Sequence, residues 1–80
     1  MYIGEAVKER ILELCRERNI SINRLSMLSG VTQSTVNNIV SGRNNSTTVS
    51  TVKKLCDGLE ITIEDFFHSE LFRHLEQEIH

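Results

Sequence analysis

The sequence predicts an all-α fold: five short helices with a helical C-terminal extension. Three observations carry this expectation. Proline is absent and glycine occurs only four times in 80 residues, so little interrupts a helical chain. Apolar residues recur at spacings of three and four, the period of a helix. No stretch sustains the alternation of two that marks a half-buried strand. A chain of 80 residues makes one domain. Its core is modest, yet well-packed helices let such a chain fold without metals or disulfides.

The first helix is expected over residues 4–18. Ile3, Val7, Ile11, Leu14 and Cys15 make one apolar stripe. Glu5–Lys8 and Glu13–Arg16 are i, i+3 pairs on the outer face. Asn19 tolerates the left-handed conformation that closes a helix, and Ile20 then anchors the link in the core. Ser21 caps the second helix, whose apolar face is Ile22, Leu25 and Leu28. Gly30 stops that helix, because its backbone takes positive φ without a Cβ clash. Val31 folds back on the second helix, and Thr32 caps the third.

The third helix buries Val36, Ile39 and Val40. Gln33, Ser34, Asn37 and Asn38 fall on its opposite face. These side chains are poor helix formers and gain nothing by packing. They suit the reading of base edges in a major groove, where Gln and Asn pair bidentately with adenine and Ser serves either way. A plain solvated face is the competing explanation, since Ser and Asn are common on surfaces. The two-helix unit around them shifts the balance toward DNA. Thr32 and Thr35 add phosphate or thymine-methyl contacts in this reading.

A polar loop follows over residues 43–48. Arg43, Asn44 and Asn45 are candidates for phosphate contacts there. Thr47 or Thr48 caps a fourth helix over 49–58, with Val49, Val52, Leu55 and Cys56 facing the core and Lys53 and Lys54 outside. Gly58 to Glu60 ends it. Thr62 and Asp65 have the spacing of a capping box for a short fifth helix over 63–67, which places Phe66 and Phe67 for burial. Leu71, Leu75 and Ile79 recur every four residues with Phe72 beside them, so a last helix is expected over 69–79. The first four helices leave little core for that stripe. That helix either packs across the domain or presents its stripe to a second copy; the second is favoured, which makes residues 69–80 a dimerisation element appended to a helix-turn-helix domain of residues 1–68.

Charge is distributed unevenly. Residues 1–56 carry +4 and residues 57–80 carry −6, for a net −2. This suits a protein that meets DNA with one end only. Cys15 and Cys56 form no CxxC pair and read as buried, inert thiols. No run of about 18 apolar residues is present, and the start lacks a signal-peptide layout, so a cytoplasmic protein is expected. His68, His74 and His80 are spaced by six, which scatters them around a helix. His74 and Glu78 share a face at i, i+4, the spacing of an ordinary surface pair. No Ser–His–Asp order, paired-carboxylate pocket or Gly-rich phosphate loop is evident. The expectation is a protein that is not an enzyme, with no metal, no cofactor and no domain for a small-molecule effector.

From Ile11 to Phe67 the chain resembles the phage repressor and Cro helix-turn-helix domain, the XRE family of bacterial regulators. The matching landmarks are Ile11 and Leu14, Ser21 and Leu25, Gly30–Val31–Thr32, Ser34–Thr35–Val36, Ile39 and Gly42, then Val52, Leu55, Leu59 and Phe66. The resemblance implies a five-helix, lambda-repressor-like domain, often dimeric, whose third helix enters the major groove. It also implies a second helix whose N-terminus lies near a phosphate. Ile22 stands where the family usually has a phosphate-clamping Gln, and Ser21 and Asn23 are the nearest substitutes. Ser26 replaces a common Ala. Cys15 and Val40 replace an Arg and a Glu that often form an ion pair, so these two are expected to touch. Losing one charge of such a pair costs about 3–5 kcal/mol, whereas losing both is close to neutral.

The function expected is a sequence-specific, repressor-type regulator of transcription that binds a palindromic operator in double-stranded DNA as a homodimer. The alternative is a protein-interaction module of the same fold, such as an antitoxin or adaptor.

Overall fold

Five helices and one 3₁₀ turn make up the computed structural model, which describes residues 1–43 and 46–79. They are α1 (Ile3–Arg18), α2 (Ile22–Ser29), α3 (Gln33–Val40), α4 (Val49–Leu59), α5 (Ile63–Phe67) and the turn Glu70–Phe72. Local chemistry sets most of the boundaries. The side chains of Ser21, Thr32, Thr48 and Thr62 each accept a hydrogen bond from the backbone N–H three residues on. Thr62 and Asp65 complete a reciprocal capping box.

One link is used twice. At Asn19 and again at Glu60 the helix closes with a left-handed residue, φ 55° and 59°. Ile20 N–H reaches the Cys15 carbonyl and Ile61 N–H the Cys56 carbonyl, both at 3.0 Å. Each isoleucine then packs on the core, and a Ser or Thr cap starts the next helix. α4 therefore runs through Gly58 to Leu59 and closes at Glu60, within the expected Gly58-to-Glu60 end. A left-handed Glu is strained by about 1–2 kcal/mol, and Gly removes that strain at a cost of about 0.4–1 kcal/mol in unfolded-chain entropy. Glu60→Gly is accordingly expected to raise stability by about 0.5–1 kcal/mol. A urea titration whose midpoint stays unchanged or falls would refute this strain.

Ile11, Leu25, Val36, Ile39, Leu55, Cys56 and Phe66 form the fully buried centre. Cys15 lies in this core, and Val40 is half-buried against it. α2 packs on α3 and α4, α1 on α3 and α5 on α4. The α2–α4 approach is close: a Cβ on Gly58 would stand 2.8 Å from the Cα and N of Ser29. This decides which face of α2 is inside. Leu25 and Ser26 are buried and Ser29 half-buried, whereas Leu28, expected in the core, is 44% exposed. Serines fit where two backbones nearly touch, and a leucine does not.

Three further expectations are corrected. Val49 is 79% exposed, because the first residue of α4 projects past the core. With Ile3, Val7, Val52 and Phe67 it lines an open apolar cleft. Glu13 pairs with Arg10 instead of Arg16, and Lys8 lies nearest Glu9, at 3.7 Å, instead of Glu5. The helix expected over 69–79 shrinks to the turn Glu70–Phe72, and residues 73–79 are not helical. Phe72 turns inward, its ring 4.8 Å from Phe67 and 6.2 Å from Phe66. Past it the chain runs back to the N-terminus, where Glu76 N–H donates to the Met1 carbonyl at 3.0 Å. A short isolated helix is marginal in water, so this packing wins over the helical pattern. His74 and Glu78 accordingly do not share a helical face. No described helix is long and apolar enough to cross a membrane.

Candidate nucleic-acid interface

The α2–turn–α3 unit is held from within. Gly30, at φ 71°, donates its N–H to the Ser26 carbonyl at 3.0 Å and turns the chain. Val31 is buried in the turn. The buried Ser26 Oγ donates to the Val31 carbonyl at 2.5 Å. Ser29 Oγ donates to the Leu25 carbonyl at 2.8 Å and accepts from Val31 N–H at 3.4 Å. Thr32 Oγ1 then accepts the Thr35 N–H at 3.2 Å and donates to the Thr35 hydroxyl at 2.9 Å. The sequence marked Ser26 only as a small-for-small exchange; its role needs the folded turn to be seen.

α3 is anchored by Val36 and Ile39, 0% and 1% exposed. On the far side Gln33, Ser34 and Asn37 are exposed and Asn38 is half-buried. The Asn38 carbonyl takes the N–H of Arg43, part of the turn that ends α3 at Gly42. The expected reading face is thus gathered on one helix, with Asn38 at its margin.

The residues expected at phosphates are exposed to different degrees. Ser21, Asn23, Thr32 and Arg43 are exposed, and Thr35 is half-buried. Ser21 Oγ accepts the Arg24 N–H at 3.0 Å, which caps α2. Asn44 and Asn45 lie outside the described residues. Neither α2 nor α3 has an acidic residue in its first turn, whereas α1 has Glu5 and α5 has Glu64 and Asp65. The N-terminal dipole ends of α2 and α3 are therefore left free for anions.

The positive charge is less available than the sequence suggests. Arg10 is buried: Nε donates to the Phe66 carbonyl at 2.6 Å, one terminal nitrogen to the Asp65 carbonyl at 2.7 Å and the other to Glu13 at 2.5 Å. Lys53 is engaged by Asp57. Arg24 and Arg43 are exposed with no ion pair among the described residues. Arg24, on α2, was not nominated by sequence pattern.

The four C-terminal residues expected to pair with a second copy do not form a stripe. Leu71, Phe72 and Leu75 are half-buried, Phe72 in its own aromatic cluster, and Ile79 stands 85% exposed. Burial pushes the thiols of Cys15 and Cys56 up from their ordinary value, so both stay protonated at neutral pH.

A family model for the Cro/C1-type HTH DNA-binding domain matches residues 10–70. Among solved structures, the chain is similar to the crystal structure of the prophage Lp1 protein 11. The identity is 38% over 94% of this chain and 100% of that one, with a TM-score of 0.80. No curated protein sequence matches.

Proposed function

The chain belongs to the Cro/C1-type helix-turn-helix DNA-binding family and is a DNA-binding regulator; from that premise we propose that it is a repressor that reads an operator with α3 in the major groove. The observation that carries this reading is the row of uncharged hydrogen-bonding side chains, Gln33, Ser34 and Asn37, exposed on a helix whose other face is locked in the core. Asn38 joins them at the edge. Ser21, Asn23, Thr32, Thr35 and Arg43 set the register on phosphates, helped by the unpaired N–H groups that begin α2 and α3.

The protein acts in the cytoplasm as a homodimer on a palindromic operator, its two reading helices about 34 Å apart. The open apolar cleft that Ile3 and Val49 help to line supports pairing. Pairing through a stripe of residues 71–79 is not part of this reading.

Selection of random duplexes against the protein tests the reading, and is expected to return two inverted half-sites. Gln33→Ala and Asn37→Ala are then each expected to weaken operator binding by about 1–3 kcal/mol, the worth of one bidentate base contact. Binding to unrelated duplex should change by less than about twofold, since that term is carried by phosphates. A base preference unaltered in both variants would overturn the assignment of α3 as the reader.

A further inference from the structure

Ser26 and Ser29 lie on the inner side of α2, away from the exposed face of α3, yet they hold both backbone polar groups of Val31. Ser26 Oγ donates to the Val31 carbonyl, and Ser29 Oγ accepts the Val31 N–H. Val31 immediately precedes Thr32, the cap on which the first turn of α3 is built. Ser29 in turn rests directly against Gly58, where no Cβ intervenes. A chain of contacts therefore runs from the backbone of α4, through Ser29 and Ser26, to the first residues of the exposed face.

We propose that Ser26 and Ser29 are positioning residues that set the angle at which α3 is presented, and so set sequence discrimination, a role that rests on the reading of α3 given above. Val36 and Ile39 of α3 are buried and Val40 is half-buried on the same core, and all three contacts are apolar. Apolar packing is non-directional, so such anchors fix the depth of a two-turn helix better than its tilt. A hydrogen bond is directional and weakens steeply off axis. Two of them on the peptide groups flanking Val31 supply the missing constraint. Alanine would fill the space of Ser26 equally well, so packing alone does not call for the hydroxyl.

The consequence falls on specificity. Bidentate base contacts tolerate only small displacements, because hydrogen-bond geometry is narrow. Charge attraction to phosphates falls off slowly with distance and survives a small tilt. Freeing α3 by a few degrees should therefore erode operator binding and spare binding to any duplex.

The test compares the affinity for a selected operator with that for a scrambled duplex of the same length, at one salt concentration. Wild type, Ser26→Ala, the double variant Ser26→Ala/Ser29→Ala and Val52→Ala are all measured. Val52 is buried in α4 and lines the apolar cleft with Ile3, Val7 and Phe67, so its truncation loses core packing on the side of α1 and α5. Ser26→Ala is expected to lower the operator-to-scrambled ratio about tenfold, within the range of one lost base contact, and the double variant further. Val52→Ala should keep the wild-type ratio. A wild-type ratio in Ser26→Ala would overturn the positioning role while leaving the reading by α3 intact. An equal fall in Val52→Ala would reduce the effect to stability and overturn it too. A wild-type protein with no preference for any duplex would overturn the reading of α3 itself.

Discussion

Arg10→Met is expected to destabilise the domain by about 2–4 kcal/mol, the largest loss from any single charged residue here. Methionine keeps the length and apolar stem of the side chain and deletes only its donors. Two carbonyls at the C-terminal end of α5 then lose a donor: Phe66, on a residue with 0% exposure, and Asp65, which keeps the His68 N–H at 3.3 Å. A helix end presents unpaired carbonyls and the negative end of the dipole, and a buried guanidinium answers both. A hydrogen bond to a charged group contributes about 1.5–3 kcal/mol, and a buried acceptor left unpaired costs about 1–3 kcal/mol. Water can replace the donor more readily at Asp65, an exposed residue, than at Phe66. Lysine should rescue little, since one ammonium cannot reproduce the fork. Urea unfolding checks this, and a loss below about 1 kcal/mol would mean that water takes over the role.

Gly58→Ala should cost about 2 kcal/mol, although alanine is the better helix former. The gain in helix propensity is about 0.5–1 kcal/mol. Against it, the new Cβ would lie 2.8 Å from both Cα and N of Ser29 and 2.9 Å from its Cβ. Backbone atoms cannot rotate away, so α2 must slide off α4, and overpacking of this kind costs about 1–3 kcal/mol or more. For a domain of this size, about 2 kcal/mol appears as a fall in Tm of about 8–16 °C. Gly30→Ala is the informative comparison. At φ 71° with nothing within 4 Å of a new Cβ, it carries only the left-handed strain, about 1–2 kcal/mol. A Gly58→Ala protein as stable as wild type would show that the two helices have room to spare.

Much of the architecture could be read from residue order because it is encoded within four or five residues. A capping hydroxyl meets an N–H three positions on, and a left-handed residue closes a helix whose carbonyls lie four and five positions back. Ser21, Thr32, Thr62, Asn19 and Gly30 were legible for that reason, and the cap of α4 narrows to Thr47 or Thr48. So was the exposed face of α3, since burial of Val36 and Ile39 leaves Gln33, Ser34 and Asn37 outward by helical geometry. Arg10 could not be read in the same way. The carbonyls that bury it are 55 and 56 residues away.

The amino-acid order by itself determined where α1 to α5 begin and close, and which residues α3 turns outward, since hydrogen bonds and period are properties of a short stretch. Tertiary structure alone decided that Leu28 and Val49 stay in water, that Ser26 ties down Val31 and that Gly58 must have no side chain. It also decided that Phe72 folds onto Phe66 and Phe67 instead of lining a terminal helix. Those outcomes depend on how closely helices distant in sequence approach and on what fills the space between them. No periodicity within one segment carries that distance.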